Sequence, residues 1–336
     1  MEDPVTNNPT TPHTPEIHSS LSAQAAGIVS LVLIFFASAS FTWAFLSEGA
    51  PQAPVAVAAV VQAAPEPPAP LAVFENVELQ SKGAIVVDLT NNRTLYEESA
   101  DAPLPLASLT KVPLSLVVAE TLPEDTIITI PYDTSPYDTM QKLRKGERWR
   151  LSDVIDFTLA VSSNTGAEIL ASAAEEPIRE KYLSAPAEDA TVWRMNQLVQ
   201  NVGLTHTYFL NATGLDESTT QAGAYGSARD MALLFAYAAD TSSKTFAATT
   251  RQSFHLQSLD GTVSTAINTD EALPDIPGLV LGKTGYTELA GGNLAIVFEV
   301  YGHRVSAVVL GSTQQGRFDD MKKLVAKTAE ALKATE

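Results

Sequence analysis

The strongest constraint on the fold lies near the N-terminus, where residues 25–46 contain no charged side chain and are mostly apolar. As a helix, this segment would be roughly 33 Å long at about 1.5 Å per residue, which is enough to cross the hydrocarbon core of a bilayer. We interpret it as a transmembrane helix. A cleaved signal peptide is an alternative, with Ala37-Ser38-Ala39 as a small-residue cleavage site, and a buried core helix is a third.

The segments on either side of this stretch lack the composition of a packed domain. Residues 1–24 are rich in Thr, Pro, Asn and Ser, which is typical of a disordered head. Residues 47–73 carry six prolines between Pro51 and Pro70, and this Pro/Ala-rich composition is typical of a semi-extended linker. Because the first basic residue of the chain is Lys82, the positive-inside rule cannot orient the helix.

Composition excludes several functional classes for the globular remainder, residues 74–336. The chain has no cysteine, which excludes disulfide scaffolds, thiolate nucleophiles and cysteine-ligated zinc. It carries 39 Asp+Glu against 21 Lys+Arg, a net charge of −18, so we expect no nucleic-acid partner. There is no HExxH-like metal spacing and no glycine-rich phosphate loop, so we expect no metal or cofactor.

Hydrophobic patterning of residues 74–336 predicts strands near both ends of this region and helices between them. Strands are predicted at 83–89, 94–97, 254–258, 263–268, 279–284, 294–300 and 304–310, and helices at 110–120, 151–161, 164–174, 192–202, 228–239 and 318–334. This order predicts an α+β fold in which the first and last segments share one sheet and a helical insert separates them.

One short motif, Ser108-Leu109-Thr110-Lys111, opens a predicted helix after a Pro-rich approach. The i,i+3 spacing puts the serine hydroxyl and the lysine amine on one helix face. A serine hydroxyl is a weak nucleophile unless a neighbouring base accepts its proton, and an amine with a depressed pKa can do so. Taken alone, such a motif is more often an N-cap serine followed by a solvated lysine.

Two further motifs make the catalytic interpretation stronger. Ser162-Ser163-Asn164 lies between two predicted helices, and Lys283-Thr284-Gly285 lies at the end of a predicted strand. The patterns Ser-x-x-Lys, Ser-x-Asn and Lys-Thr-Gly each occur once in the chain, in this order. The ordered set is the signature of penicillin-interacting serine enzymes.

Beyond the three motifs, the chain resembles the D-alanyl-D-alanine carboxypeptidase family of low-molecular-mass penicillin-binding proteins over roughly residues 75–330. The stretches that carry the resemblance include 195–216, Ser227–Ala232, Gly282–Thr287 and Val308–Gly311. The resemblance implies the penicillin-binding-protein/β-lactamase-like transpeptidase fold, with an antiparallel sheet flanked by helices and a helical subdomain. It implies removal of the terminal D-alanine from peptidoglycan stem peptides, with β-lactam antibiotics as acylating inhibitors.

The resemblance also implies roles for eight residues. Ser108 would be the nucleophile, Lys111 its general base, and Ser162 the proton relay to the leaving amine. Asn164 would position Lys111 and the substrate, Lys283 and Thr284 would hold the substrate carboxylate, and Gly285 would leave room for substrate along the strand edge. The oxyanion would lie between the backbone N–H groups of Ser108 and Tyr286.

Three other functions remain open at this point: D,D-endopeptidase activity on cross-links, a class A-like serine β-lactamase, and a non-catalytic wall-binding domain. A β-lactamase would need a glutamate that activates the deacylating water, and Glu217 lies near the right region without the expected Leu-Asn context. For an enzyme of the cell wall, the catalytic domain has to be extracytoplasmic. We therefore expect a single-pass protein of the bacterial cell membrane with a cytoplasmic N-terminus.

Overall fold

The computed structural model describes residues 71–132 and 143–333. The predicted head, the predicted transmembrane helix and all but the last three residues of the predicted linker lie outside these ranges. None of the helices inside them combines the length and the apolar character that a bilayer span requires.

The described residues form twelve strands and seven helices. The strands are β1 (Gly83–Asp88), β2 (Arg93–Glu98), β3 (Leu104–Pro105), β4 (Ile127–Thr129), β5 (Arg148–Arg150), β6 (Tyr208–Phe209), β7 (Ala224–Gly226), β8 (Ser253–Gln257), β9 (Val263–Ile267), β10 (Leu279–Thr287), β11 (Gly291–Val300) and β12 (His303–Ser312). The helices are α1 (Lys111–Thr121), α2 (Leu151–Ala160), α3 (Asn164–Lys181), α4 (Ala190–Val202), α5 (Ala228–Thr241), α6 (Ser243–Phe246) and α7 (Gly316–Lys333).

The main sheet is antiparallel and has the strand order β10-β11-β12-β1-β2. The first and last parts of the domain share this sheet, because β1 pairs with β12 in a register that sets Ile85 opposite Val308. The predicted α+β arrangement, with terminal strands in one sheet and helices inserted between them, is confirmed. In the described part of the chain β10 pairs only with β11, so its second edge is open to the helical region.

Both faces of the sheet are buried, and the alternation along β12 shows how. Val305 and Val309 pack on one face, in a core that includes Phe318 of α7. Val308 points to the other face, in a larger core that contains the apolar residues of α1 to α5. Successive side chains of a strand point to opposite faces, so a strand covered on both sides needs an almost continuous apolar run. This requirement explains why the middle of β12, from Val305 to Leu310, is almost entirely apolar.

Three of the differences between the structure and the predicted boundaries have a clear origin in packing or pairing. Leu71 and Val73, ahead of the predicted residue 74, pack against the α7 core. Helix α3 continues to Lys181, past Pro177, where an ion pair from Arg179 to Glu175 and the buried Ile178 support its last turns. Strand β10 extends to Thr287 rather than ending at residue 284, because its pairing with β11 continues to Gly291.

Candidate active site

Ser108 lies in a tight turn immediately before helix α1. The turn is a 3-10 helix over Ala107–Thr110, and its first residue has a φ of +49°. The Thr110 hydroxyl donates a hydrogen bond to the Ala107 carbonyl at 2.8 Å, which holds the turn closed. Lys111 is the first residue of α1 and is fully buried, and its Nζ donates to Ser108 Oγ at 2.7 Å. The structure therefore brings the predicted nucleophile and its predicted base into direct contact.

Two further acceptors fix the position of Lys111 Nζ. It donates to Asn164 Oδ1 at 2.7 Å and to the backbone carbonyl of Thr213 at 3.0 Å. Asn164 is the first residue of α3, whose N-terminus is capped by Ser163 Oγ accepting from the Gly166 amide at 2.9 Å. Helix α3 thus places the amide side chain of Asn164 across the cleft from α1, as the sequence pattern predicts.

The second predicted pair, Ser162 and Lys283, is also in contact. Ser162 lies between α2 and α3 with a φ of +60°, a conformation that costs energy for any residue with a Cβ and is found at functional sites. Lys283 extends from β10, is 2% exposed, and donates to Ser162 Oγ at 2.8 Å and to the Thr284 carbonyl at 2.9 Å. Two serine–lysine pairs therefore line one cleft.

Positive charge dominates the buried side of this cleft. Burial lowers the pKa of Lys283 well below its usual value, and the charges of Lys111 and Arg317 lower it further, while the Asp270 carboxylate opposes these effects. Burial also raises the pKa of Asp270 to about 6. A bound anion beside Lys283 would favour its charged form, so the cleft is suited to a substrate carboxylate.

The end of β10 lies directly against the Ser108 turn. A Cβ added at Gly285 would lie 2.9 Å from the Leu106 carbonyl oxygen and 3.2 Å from the Ser108 amide nitrogen, so only glycine fits this approach comfortably. Arg317 of α7 donates to the Gly285 carbonyl at 2.7 Å. The next residue, Tyr286, is 40% exposed and borders the open edge of the strand. The backbone amides of Ser108 and Tyr286 thus belong to two segments that meet at one point.

The loop 211–217 closes the opposite side of the cleft. Asn211 Oδ1 accepts hydrogen bonds from the backbone amides of Thr213 and Gly214 at 3.1 and 2.7 Å. Asp216 accepts from the Thr287 hydroxyl at 2.8 Å, which ties the loop to β10. Glu217, the glutamate that a β-lactamase mechanism would need, accepts a hydrogen bond from Asn211 Nδ2 within this loop.

Three members of the site carry no motif in the sequence. The Thr213 carbonyl contacts Lys111, and a backbone oxygen leaves no side-chain signature. Thr269 Oγ1 shares a 2.6 Å hydrogen bond with Thr284 Oγ1, and its amide donates to the Ala160 carbonyl at the end of α2. Asp270 is 5% exposed, and its Oδ2 has no hydrogen-bond partner among the described residues. An acidic pair, Asp270-Glu271, just after the predicted strand 263–268 is the only sequence signal that could have drawn attention to this segment.

Within residues 71–132 and 143–333, no three His, Asp or Glu side chains converge as a metal site would require. The contacts described above instead give the cleft two hydroxyls, two amines and an amide. This set is suited to acyl transfer, in which a hydroxyl attacks a carbonyl while amines move protons.

Comparison with known proteins agrees with this geometry. A family model described as D-alanyl-D-alanine carboxypeptidase matches residues 69–314. The carboxypeptidase DacA of Escherichia coli is 28% identical over 261 residues, which cover 74% of this chain and 60% of the relative, so the chain spans about 60% of that protein's length. A D-alanyl-D-alanine endopeptidase of Pseudomonas aeruginosa is 30% identical over 164 residues, 48% of this chain and 49% of the relative. The ampicillin-bound penicillin-binding protein D2 of Listeria monocytogenes superposes with a TM-score of 0.62 at 26% identity, covering 75% of this chain and 98% of that one.

Proposed function

Because the chain belongs to the D-alanyl-D-alanine carboxypeptidase family, we propose that it is a serine-type hydrolase that removes the terminal D-alanine from peptidoglycan stem peptides through an acyl-enzyme on Ser108. The observation that carries this proposal is the double contact of Lys111 Nζ with Ser108 Oγ at 2.7 Å and of Lys283 Nζ with Ser162 Oγ at 2.8 Å. Each hydroxyl that has to gain or lose a proton lies against an amine.

In the acylation step, neutral Lys111 accepts the proton of Ser108 while Oγ attacks the carbonyl carbon between the two D-alanines. The oxyanion that forms lies between the backbone N–H groups of Ser108 and Tyr286, a position that glycine at 285 keeps open. A donor of this kind is worth about 10²–10³ in rate. Asn164, held by its contact with Lys111, orients the substrate amide.

The leaving group departs on the Lys283 side of the cleft. The C–N bond breaks as Ser162 gives its proton to the amine of the leaving D-alanine and draws a replacement from the lysine beside it. The carboxylate of that D-alanine lies against Lys283 and the Thr284 hydroxyl. The proton that Lys111 took from Ser108 passes to the Ser162–Lys283 pair, so Lys111 is neutral and Lys283 is charged again. Water then attacks the ester carbonyl while Lys111 accepts one of its protons. The bond to Ser108 Oγ breaks, and Lys111 gives that proton to Oγ as the shortened peptide leaves.

This proposal is tested by Ser108→Ala, with Ser152→Ala on α2 as a matched control that removes a hydroxyl outside the cleft. We expect the Ser108 variant to lose fluorescent-penicillin labelling and to release D-alanine from a pentapeptide about 10³-fold more slowly or worse. The control should behave as wild type. Labelling that survives in the Ser108 variant would contradict the assignment of the nucleophile, and unchanged D-alanine release would contradict the proposed activity.

Cleavage of D,D cross-links is a second activity that the same site could perform, and the similarity to the Pseudomonas aeruginosa endopeptidase favours it. The chemistry is identical except that the leaving amine belongs to a neighbouring stem peptide. Mass spectrometry of purified muropeptides before and after treatment separates the two activities. Loss of one D-alanine indicates trimming, and conversion of cross-linked dimers to monomers indicates endopeptidase action.

We further propose that residues 25–46 anchor the protein in the bacterial cell membrane as a single span, with residues 1–24 cytoplasmic and residues 47–73 as a linker. The support is the uncharged, apolar composition of that segment together with a substrate that lies outside the cytoplasm. β-Lactams are proposed as acylating inhibitors of Ser108, in line with the antibiotic bound to the Listeria monocytogenes protein.

A further inference from the structure

An open groove of about 480 Å³ leads away from the catalytic cleft between helix α3 and the loop 211–217. Its lining includes Thr213, whose carbonyl oxygen accepts the hydrogen bond from Lys111, so the groove starts one contact away from the catalytic amine. We call this surface the acidic groove and define it by Glu168, Ala171, Leu210, Thr213 and Leu215.

Glu168 supplies the negative charge of the acidic groove at the end nearest Asn164, and Asp189 lines the groove further along, beside the Glu175 end of α3. Glu168 lies one helical turn after Asn164, on the same face of α3 and about 6 Å further along the helix axis. Its carboxylate is exposed and accepts a hydrogen bond from the Tyr132 hydroxyl. Within the described part of the chain it makes no ion pair. Glu175 also borders the groove, but its oxygens already accept from the first amides of α4 and from Arg179.

The walls of the groove are apolar near this carboxylate. Leu210 and Leu215, which are 40% and 41% exposed, both line the groove and leave apolar surface there. A ligand group with an alkyl chain and a positive end matches both properties, since the chain would cover the leucines and the charge would reach Glu168.

The two sides of the cleft carry side chains of opposite charge type. Lys283 and Arg317 lie on the β10 side, and Glu168 lies on the α3 side, one turn beyond Asn164. A peptide whose terminal carboxylate lies at Lys283 directs its preceding residues to the other side. The residue before the acyl D-alanine has its Cα about 3.8 Å from that of its neighbour, so its side chain is the one next to the start of the groove.

We propose that the acidic groove is a subsite for the ammonium-bearing side chain of the diamino acid that precedes D-Ala-D-Ala in the stem peptide, with Glu168 as its counter-ion. This proposal rests on the carboxypeptidase function proposed above. It makes Glu168 a specificity residue: it contacts the substrate two residues before its C-terminus and takes no part in proton transfer.

The test compares two peptides, Nα-acetyl-L-Lys-D-Ala-D-Ala with a free ε-amine and its Nα,Nε-diacetyl analogue. An exposed charge pair is worth up to about 1 kcal/mol, which is roughly fivefold, so wild type should favour the free amine in kcat/KM by about that factor. Glu168→Gln keeps the shape of the side chain and should bring the ratio of the two kcat/KM values close to one. Raising the salt concentration to about 0.5 M should reduce the wild-type ratio in the same direction.

Glu180→Gln is the matched control, because it removes the same charge from an exposed position on the same helix outside the groove. It should leave the ratio at the wild-type value. A wild-type ratio near one, or a ratio that Glu168→Gln leaves unchanged while both peptides are hydrolysed, overturns the subsite. Failure of wild type to hydrolyse either peptide contradicts the proposed carboxypeptidase function itself, so the two failures are distinguishable.

Discussion

Gly214 is the position at which a single added methyl group most directly tests how the catalytic lysine is held. It lies in the loop 211–217 with a φ of +79°, next to the Thr213 carbonyl that accepts from Lys111. A Cβ at this position would lie 1.9 Å from the Ala107 carbonyl oxygen and 2.7 Å from Thr110 Oγ1. Both atoms belong to the turn that carries Ser108, so Gly214→Ala has to push the loop and the turn apart.

The loss of stability expected for Gly214→Ala can be estimated by comparison with Gly203, which has a φ of +84° and no atom within 4 Å of an added Cβ. Gly203→Ala only places a Cβ on a left-handed backbone, which lowers the free energy of unfolding by about 1 kcal/mol. Gly214→Ala adds overpacking, about 1–3 kcal/mol more. It should also slow acylation by at least about tenfold, because a displacement of about 1 Å in catalytic geometry can cost about 10²-fold.

The assay pairs urea unfolding with the second-order rate constant for acylation by a fluorescent penicillin. Gly203→Ala should acylate at the wild-type rate. If Gly214→Ala loses no more stability than Gly203→Ala and acylates like wild type, then the loop does not press on the Ser108 turn. The contact between Thr213 and Lys111 would then have no part in positioning the amine.

Two other predictions concern a buried carboxylate and a hydroxyl pair. Burial raises the pKa of Asp156 from 3.8 to about 7, so the native state binds a proton that the unfolded chain has released. The free energy of unfolding therefore falls as the pH rises from about 4 to about 7. In urea unfolding, Asp156→Asn should therefore raise the free energy of unfolding by about 2 kcal/mol more at pH 8 than at pH 5. An equal increase at both pH values would contradict the raised pKa of Asp156. Thr269→Val removes the hydroxyl that Thr284 Oγ1 contacts and should lower kcat/KM for a carboxylate-terminated peptide about fivefold, roughly 1 kcal/mol. Thr269→Ser should restore the rate, and a Val variant as active as wild type would exclude a positioning role.

The three motifs, through the family that they resemble, were enough to predict which distant residues meet. Asn164 and Lys111 are separated by 53 positions, and Lys283 and Ser162 by 121, yet both pairs are hydrogen-bonded as the motif set implies. The main strands and helices were also predictable, because a buried sheet requires long apolar runs and amphipathic helices repeat with a period of 3.6. The strand boundary at residue 284 was wrong because Gly285 has little intrinsic preference for a strand.

What the sequence could not predict are contacts whose chemistry does not depend on side-chain identity. The Thr213 carbonyl contacts Lys111 only because Asn211 folds the loop beneath it, and any residue at 213 offers the same oxygen. The two-residue strands β3 and β6 are set by tertiary pairing with β7, since segments this short carry no periodicity. Such features follow from long-range packing, so they are visible only in the three-dimensional structure.

The charges around Lys283 explain how a chain of net charge −18 could accept the carboxylate-terminated substrate proposed above. At physiological ionic strength, surface charges are screened beyond about 8 Å, so the acidic surface contributes little inside the cleft. Inside the cleft, the Arg317 guanidinium acts on Lys283 and is opposed by the Asp270 carboxylate. Because burial makes charge on Lys283 costly, a carboxylate that enters beside it is stabilised by the lysine and in turn favours the lysine's protonated form. In the proposed reaction, the energy that binds the leaving D-alanine would thus also maintain the proton that Ser162 delivers. An amide-terminated peptide provides no such charge, so we expect the cleft to discriminate against it in transition-state stabilisation as well as in binding.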